Sequence, residues 1–233
     1  MHRSLTCALV AAISFVPVAN AATVSLSPTD DVYTYAGQPG TNFGDSAVLA
    51  TNLHSYNQLE FSYLKFDLSS LPSGQAIVGA TLYLYQAGGA GSGESGVSLF
   101  RIGDDSWNEG TVTWNNPPAT TGATLLATNP NGYTYVGWSQ WNLLASGSWN
   151  PAVDRTDGML SLWLAEASSN DQAHLWCSKE AATDTSGYCS AGLEPYLQVT
   201  TSPVPVPATA WLFGSGLMGL LGILRAKRNG PTS

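Results

Sequence analysis

Charged side chains are scarce in this chain of 233 residues, where they make up 10% of the total, against about 25% in an ordinary globular protein. Basic residues are the scarcest: there are 8 Lys and Arg against 16 Asp and Glu, and half of the 8 lie at the two chain ends. The middle of the chain therefore holds 4 basic and 16 acidic residues, a net charge of −12. Such a surface repels phosphate backbones, which are bound through Lys and Arg, and nucleic acid is excluded as a partner.

Several structural classes are also excluded. No Gly-X-Y period and no Glu/Lys-rich heptads occur, so the chain is neither collagen-like nor a coiled coil. Hydrophobic residues make up 44% of the sequence, which is too many for a disordered chain and enough to build the core of one domain.

Histidines and the motifs of common catalytic sites are scarce, although carboxylates are not. Beyond the first 21 residues the only histidines are His54 and His174, and neither lies in a GxSxG or HExxH motif. Adjacent acidic pairs such as Asp30 and Asp31 point to opposite faces of a strand. We therefore predict that the chain is not an enzyme.

The N-terminus has the features of an export signal. A basic Met-His-Arg start is followed by an apolar run and by Ala19-Asn20-Ala21, an A-x-A cleavage site. Residues 1–21 are predicted to be a signal peptide that signal peptidase removes. Only Cys177 and Cys189 then remain, and we predict a disulfide between them worth about 3 kcal/mol; two free thiols are the alternative.

The C-terminus has the features of a second targeting signal. It carries an apolar run at 210–224 and a basic end at 225–228, preceded by the motif Val204, Pro205, Val206, Pro207 and Ala208. This order resembles the PEP-CTERM sorting signal in its VPxPA variant, over 204–228. The resemblance implies a transient inner-membrane hold through 210–224, cleavage by an exosortase, and export to the outer surface or extracellular matrix of a Gram-negative bacterium. A permanent tail anchor is the alternative.

Residues 22–203 carry the pattern of a β-domain. Short β-forming segments alternate with turn signals, which predicts an all-β fold and a two-sheet jelly-roll β-sandwich. The predicted strands are 47–51, 59–68, 77–85, 97–102, 111–114, 124–128, 133–138, 159–165, 173–176 and 196–200. The apolar positions of segment 59–68 change parity near Tyr63, so this strand is either buried on both faces or bulged. Residues 129–132 predict a hairpin turn, and 140–145 a helical turn.

Several sequence blocks resemble a known family. They are residues 41–44 (TNFG), 63–72 (YLKFDLSSLP), 80–85 (ATLYLY), 107–117 (WNEGTVTWNNP), 178–180 (SKE) and 195–200 (PYLQVT). In this order they resemble the DNRLRE domain, which is similar to carbohydrate-binding module family 96. The resemblance implies a jelly roll that binds polysaccharide. The chain lacks a cluster of Lys and Arg, which argues against binding to uronates.

Two sets of candidate site residues follow. Exposed aromatic rings stack on the apolar faces of sugars, and the tryptophans in polar surroundings are Trp138, Trp141 and Trp149. A Ca²⁺ ion takes six to eight oxygen ligands, and we expect a structural calcium at Asp30, Asp31, Asn42, Asp45 and Glu180. The alternative is that these polar residues only cap turns.

Two functions remain open on the sequence. The first is an exported, non-catalytic protein of the cell surface or biofilm matrix that binds exopolysaccharide. The second is a structural or adhesive matrix protein without a sugar site. An exposed row of aromatic rings favours the first, and a featureless acidic surface favours the second.

Overall fold

The computed structural model describes residues 21–53, 58–91, 96–167 and 172–203. The predicted signal peptide up to residue 20 and the predicted sorting signal at 204–228 lie outside the described residues. The described elements are β1 (Ala22–Leu26), β2 (Asp30–Tyr35), β3 (Val48–Asn52), β4 (Glu60–Asp67), β5 (Gln75–Gly91), β6 (Val97–Ile102), β7 (Thr124–Asn129), β8 (Gly137–Asn142), α1 (Pro151–Asp157), β9 (Met159–Glu166), β10 (Gln172–Cys177), a 3-10 turn (Ala181–Thr183) and β11 (Tyr196–Pro203). The predicted all-β class is confirmed.

The strands form one curled antiparallel sheet whose two halves face each other, consistent with a β-sandwich. One half contains β1, β11, β5, β8, β10 and β3, and the other contains β2, β4, β9, β6 and β7. The two halves are joined where β3 pairs with β4, through the residue pair Asn52–Glu60. The jelly-roll arrangement stays a prediction.

The core lies between the two halves and is built by strand alternation. In β5, Leu82 and Leu84 point inward and are fully buried, while Tyr83 between them points outward and is half-buried. Leucines of the facing half, including Leu162 and Leu164 of β9, pack against them in one cluster with Trp141 and Trp176. Burial of this apolar set holds the two layers together.

Strand β4 is buried on both faces. Leu64 and Phe66 face the main core, while Tyr63 belongs to a second cluster on the other side of the strand. Pairing with β2 and β9 runs without a register shift. The change of parity seen in the sequence therefore reflects two buried faces and not a bulge.

Two long segments cover the outer sides of the sandwich. Segment 103–123 lays Trp107 and Val112 over Tyr63 of the β2–β4–β9–β6 half. Segment 178–195 packs over part of the other half, and the disulfide between Cys177 and Cys189 closes it. The predicted disulfide is confirmed.

Several sequence predictions between residues 111 and 145 are wrong or displaced. Residues 111–114 contain turns and no strand, and the strand predicted at 133–138 begins only at Gly137 and continues to Asn142 as β8. Of the helical turn predicted at 140–145, only the part from residue 143 onward forms turns. The turn at 129–132 does not close a hairpin, because β7 pairs with β6 while β8 pairs with β5. The chain crosses from one half to the other here, and the Asn129 side chain donates to the Gln140 carbonyl at 3.0 Å.

The helix α1 was not predicted, although its boundaries are encoded locally. The Asn150 side chain caps its first turn, Pro151 follows, and Gly158 ends it with a left-handed φ of 81°. Among the residues that the structure describes, no helix combines the length and the apolar character required to cross a bilayer.

Candidate functional site

The outer side of strands β1, β11, β5 and β8 forms a surface that we call the open face. Alternation places its residues opposite the buried leucines, and every one of them is exposed or half-buried. They are Thr23, Ser25, Thr81, Tyr83, Tyr85, Trp138, Gln140, Asn142, Tyr196, Gln198 and Thr200. None of these side chains is charged, although the middle of the chain carries a net charge of −12.

Four aromatic rings occupy one end of the open face and contact one another. Tyr83 and Tyr196 stack with ring centroids 4.7 Å apart and planes 11° from parallel. Trp138 meets Tyr196 edge-on at 5.4 Å and Tyr85 at 5.6 Å. Because Trp138 remains 37% exposed, the cluster presents an indole to solvent on a rigid sheet.

Amide and hydroxyl groups lie beside these rings. In the register, Gln140 and Tyr196 flank Tyr83 on its two sides, and the next outward residue of β5 is Thr81 with Gln198 across the strand boundary. The amides of Gln140 and Gln198 form no hydrogen bond within the described part of the chain. They are therefore available as donors and acceptors to a ligand lying across the strands, which are about 4.8 Å apart.

The structure divides the three predicted tryptophans. Trp138 lies on the open face, as described. Trp141, three positions along β8, has the opposite parity and is 1% exposed; its Nε1 donates to the Val97 carbonyl at 2.8 Å. The prediction that it is an exposed sugar-stacking ring is wrong, because both its ring and its only donor are used inside the core.

The prediction that Trp149 is an exposed sugar-stacking ring is wrong for the same reason. It is buried beside α1, and its Nε1 donates to the Asp154 carboxylate at 2.6 Å. Arg101 pairs with the same carboxylate. This cluster satisfies buried polar groups and leaves no ring face to solvent.

Comparison with known proteins identifies the family of the chain. The sequence profile of "Carbohydrate-binding module family 96" matches residues 22–188, most of the chain. The chain belongs to carbohydrate-binding module family 96. A protein named "Gellan lyase" from a Bacillus species is 35% identical over 102 residues, which are 43% of this chain. The chain spans 4% of the length of that lyase.

This family 96 chain also contains an acidic cluster on the edge near β2. Asp31 of β2, Glu109 of segment 103–123 and Glu180 of segment 178–195 each place a carboxylate oxygen within 4.8 Å of the other two. Lys179 binds Glu109 at 2.8 Å and also contacts Glu180. The cluster therefore joins both covering segments to one strand.

Backbone contacts hold the cluster in place. The Asp31 N–H donates to Glu109 Oε2 at 2.9 Å, and the Lys179 N–H donates to Asp31 Oδ2 at 2.8 Å. Gly44 allows its own backbone to approach that of Glu109 closely, since a Cβ at position 44 would lie 2.6 Å from the Glu109 carbonyl oxygen. Burial, together with Glu180 and Glu109, raises the pKa of Asp31 well above its usual value, although the Lys179 N–H opposes that rise.

The predicted calcium ligands are only partly brought together. Asp31 and Glu180 share the cluster, but Asp30 pairs with Lys65 at 3.1 Å. The Asn42 amide donates to the Glu109 and Val112 carbonyls, and its oxygen accepts from Gly44. Asp45 is exposed. The structure thus assigns Asn42 the turn-capping role that the sequence left open.

Sequence reasoning missed residues in both places. Glu109 stands in the block at 107–117, and only folding brings it to Asp31 and Glu180. Tyr83 and Tyr85 share the outward parity of β5 in the sequence, so that signal was present. Tyr196 has the same outward parity in β11, opposite Leu197 and Val199, but its place beside Tyr83 follows only from the pairing of β11 with β5.

His174, one of the two histidines outside the predicted signal peptide, has a structural position. It is buried with Nδ1 at 2.8 Å from Glu166 Oε1 and Nε2 at 3.2 Å from the Asn131 carbonyl. Thr51 donates to the same Glu166 oxygen at 2.7 Å. Burial raises the pKa of Glu166, against the hydrogen bond from His174. His54 lies outside the described residues.

Proposed function

We propose that this chain is an exported, non-catalytic jelly-roll protein that binds polysaccharide through its open face, at the outer surface or in the extracellular matrix of a Gram-negative bacterium. The open face is the observation that carries the proposal. It combines a partly exposed Trp138, stacked tyrosines and the side-chain amides of Gln140 and Gln198 on one side of the sheet, within a family of carbohydrate-binding modules.

The chemistry of the open face matches uncharged sugar rings. The apolar C–H side of a sugar packs on an aromatic face, and amide side chains orient its hydroxyl groups. The basic residues of the described chain lie elsewhere: Lys65, Lys179 and Arg101 are in ion pairs, and Arg155 donates to the Pro72 carbonyl. We therefore propose that binding uses stacking and hydroxyl contacts and does not require anionic groups on the polymer.

Affinity electrophoresis of the full chain tests this function. The gels contain gellan, because the relative named above is a gellan lyase, or one of several neutral polysaccharides. We expect retardation that Trp138→Ala weakens about tenfold, on the order of 1.4 kcal/mol for one aromatic contact. Val153→Ala is the matched control, since Val153 is exposed on α1, and it should migrate like the unaltered chain.

Salt and a second surface sharpen the test. Retardation should be the same at about 50 mM and about 500 mM NaCl, because salt in this range screens contacts between charges and leaves aromatic stacking in place. A groove of about 290 Å³ between Tyr33 and Tyr188 is the competing location. If Tyr188→Ala abolishes binding while Trp138→Ala does not, the open face is the wrong surface.

The alternative function is a structural or adhesive matrix protein without a sugar site. If no polysaccharide in a broad panel retards the unaltered chain, the binding proposal fails and this alternative stands. Partner capture would then be sought through the same exposed face.

We propose export on the basis of the two targeting signals in the sequence, residues 1–21 and 204–228. Signal peptidase and an exosortase are the expected processing partners, with segment 210–224 as the transient inner-membrane hold. Fractionation of cells that produce the full chain or a chain lacking 204–228 tests this. We expect the full chain at the cell surface or in the matrix and the shortened chain elsewhere; identical distributions would refute the sorting role.

A further inference from the structure

We propose that Asp31, Glu109 and Glu180 form a binding site for a divalent cation, Ca²⁺, and that the ion competes with the Lys179 ammonium for these carboxylates. This proposal is independent of polysaccharide binding. It replaces the ligand set expected from sequence with one that the fold assembles.

The spacing of the oxygens fits calcium. One carboxylate oxygen from each residue lies within 4.8 Å of the other two. Two ligands on opposite sides of a Ca²⁺ ion are separated by about 4.8 Å, twice the usual Ca–O distance, and ligands at smaller angles lie closer. The three carboxylates supply at least one oxygen each, and water completes such a shell.

The charges of the cluster do not balance. Three carboxylates face one ammonium, that of Lys179. The neighbouring acid, Asp30, is already paired with Lys65. Negative charge that is neither solvated nor paired costs free energy, and a divalent cation would remove the excess.

Unused ligand atoms provide the second, independent observation. Asp31 is 1% exposed, and its Oδ1 has no hydrogen-bond partner among the residues that the structure describes. The Glu180 side chain is 20% exposed, but its Oε2 atom is likewise shielded from solvent and unpartnered within the described chain. Buried carboxylate oxygens normally accept at least one hydrogen bond, so these two members of the cluster have acceptor atoms that a cation would use.

The ion would have a structural effect because of where its ligands lie. Asp31 belongs to β2, Glu109 to segment 103–123, and Glu180 to segment 178–195. One cation would therefore connect both covering segments to the sheet. An ion that binds the folded chain and not the unfolded chain raises the melting temperature by mass action.

Calorimetric titration and thermal melting of the full chain, first treated with EGTA, test the site. We expect one Ca²⁺ bound with Kd on the order of 10⁻⁴–10⁻³ M, as in extracellular modules, and a melting temperature that rises with Ca²⁺. Glu180→Gln keeps the side-chain shape and should weaken binding about tenfold or more. Asp45→Asn is the matched control: it removes the same charge from an exposed position and should leave binding unchanged.

Lys179→Gln provides the opposite change. It removes the competing ammonium, so Ca²⁺ should bind more tightly than to the unaltered chain. Near-UV circular dichroism confirms that each variant is folded. The proposal is overturned if the unaltered chain binds no Ca²⁺ up to about 10 mM, ten times the weak end of that affinity range. It is also overturned if Glu180→Gln binds as tightly as Asp45→Asn, or if Lys179→Gln binds no more tightly.

Discussion

The two outer sides of the sandwich are both rich in aromatic residues, but segment 103–123 covers those of one side, whereas segment 178–195 packs over only part of the other. On the β2–β4–β9–β6 side, segment 103–123 buries Tyr63 beneath Trp107. On the β1–β11–β5–β8 side, Tyr83, Tyr196 and Trp138 remain at the surface. Aromatic content therefore does not separate a core from a binding surface in this chain.

The covering segment makes the difference through polar contacts as well as packing. Lys65 lies 4.7 Å above the Trp107 ring and donates to its carbonyl, while Trp107 Nε1 donates to Ser161 at 3.1 Å. On the open face the amides of Gln140 and Gln198 have no such partners among the described residues. On the covered side Trp107 thus has both its ring and its Nε1 donor engaged, whereas Trp138 on the open face keeps part of its ring exposed.

The largest expected effect comes from removing the cover. Trp107→Ala should lower the free energy of unfolding by about 3–5 kcal/mol, the usual cost of deleting a buried Trp side chain. Urea denaturation measures it. Trp107→Phe is the control, because it keeps most of the packing and loses mainly the hydrogen bond to Ser161. A loss below about 1 kcal/mol for Trp107→Ala would show that the two sides do not differ as described.

Loss of the disulfide should have the next largest effect. The bond lies beside the aromatic end of the open face, because Tyr85 packs against the buried cluster that contains Cys177 and Cys189. Replacing both Cys177 and Cys189 with Ser opens the loop between them, a separation of 12 residues. The free energy of unfolding should fall by about 3 kcal/mol through chain entropy. Denaturation of the unaltered chain with and without a reductant should give the same difference; equal stabilities would contradict the prediction.

Trp138→Ala should have a smaller effect on stability and a larger one on binding. It removes edge contacts to Tyr85 and Tyr196 and costs about 1 kcal/mol. Urea denaturation and affinity electrophoresis measure the two quantities on the same sample. Trp138→Tyr should retain binding because it keeps a ring there. If Trp138→Ala destabilises the fold as much as Trp107→Ala, the open face is core and not a binding surface.

The smallest expected effect is a dependence on pH in segment 178–195. Hydrogen bonds from Ser186 and from the Cys189 N–H lower the pKa of Asp184 from 3.8 to about 2. The folded pKa lies below the unfolded one, so this stabilisation is complete above about pH 5 and is lost as the pH falls through about 2. Melting temperatures of the unaltered chain and of Asp184→Asn should therefore converge between pH 5 and pH 2. A constant difference would contradict the assignment.

The sequence carries most of the strand pattern but not the way strands are joined. Strand β6 was predicted with its observed bounds, and the two buried faces of β4 were one of the two interpretations of its parity. The hairpin at 129–132 was wrong, because a turn motif describes four residues and says nothing about which strands pair. Strands β1 and β2 were missed, and β1 is held by pairing with β11 at the other end of the domain.

The sequence by itself determined the all-β class, the family to which the chain belongs, the disulfide partners and the alternation that sends Tyr83 and Leu82 to opposite faces. These properties depend on composition, motifs and a period of two residues. Only the tertiary structure decided that Trp138 is exposed and Trp141 buried, and that Glu109 meets Asp31 and Glu180. The reason is physical: alternation sets which residues share a face, but solvent exposure and carboxylate contacts depend on segments far away in the chain that fold over that face.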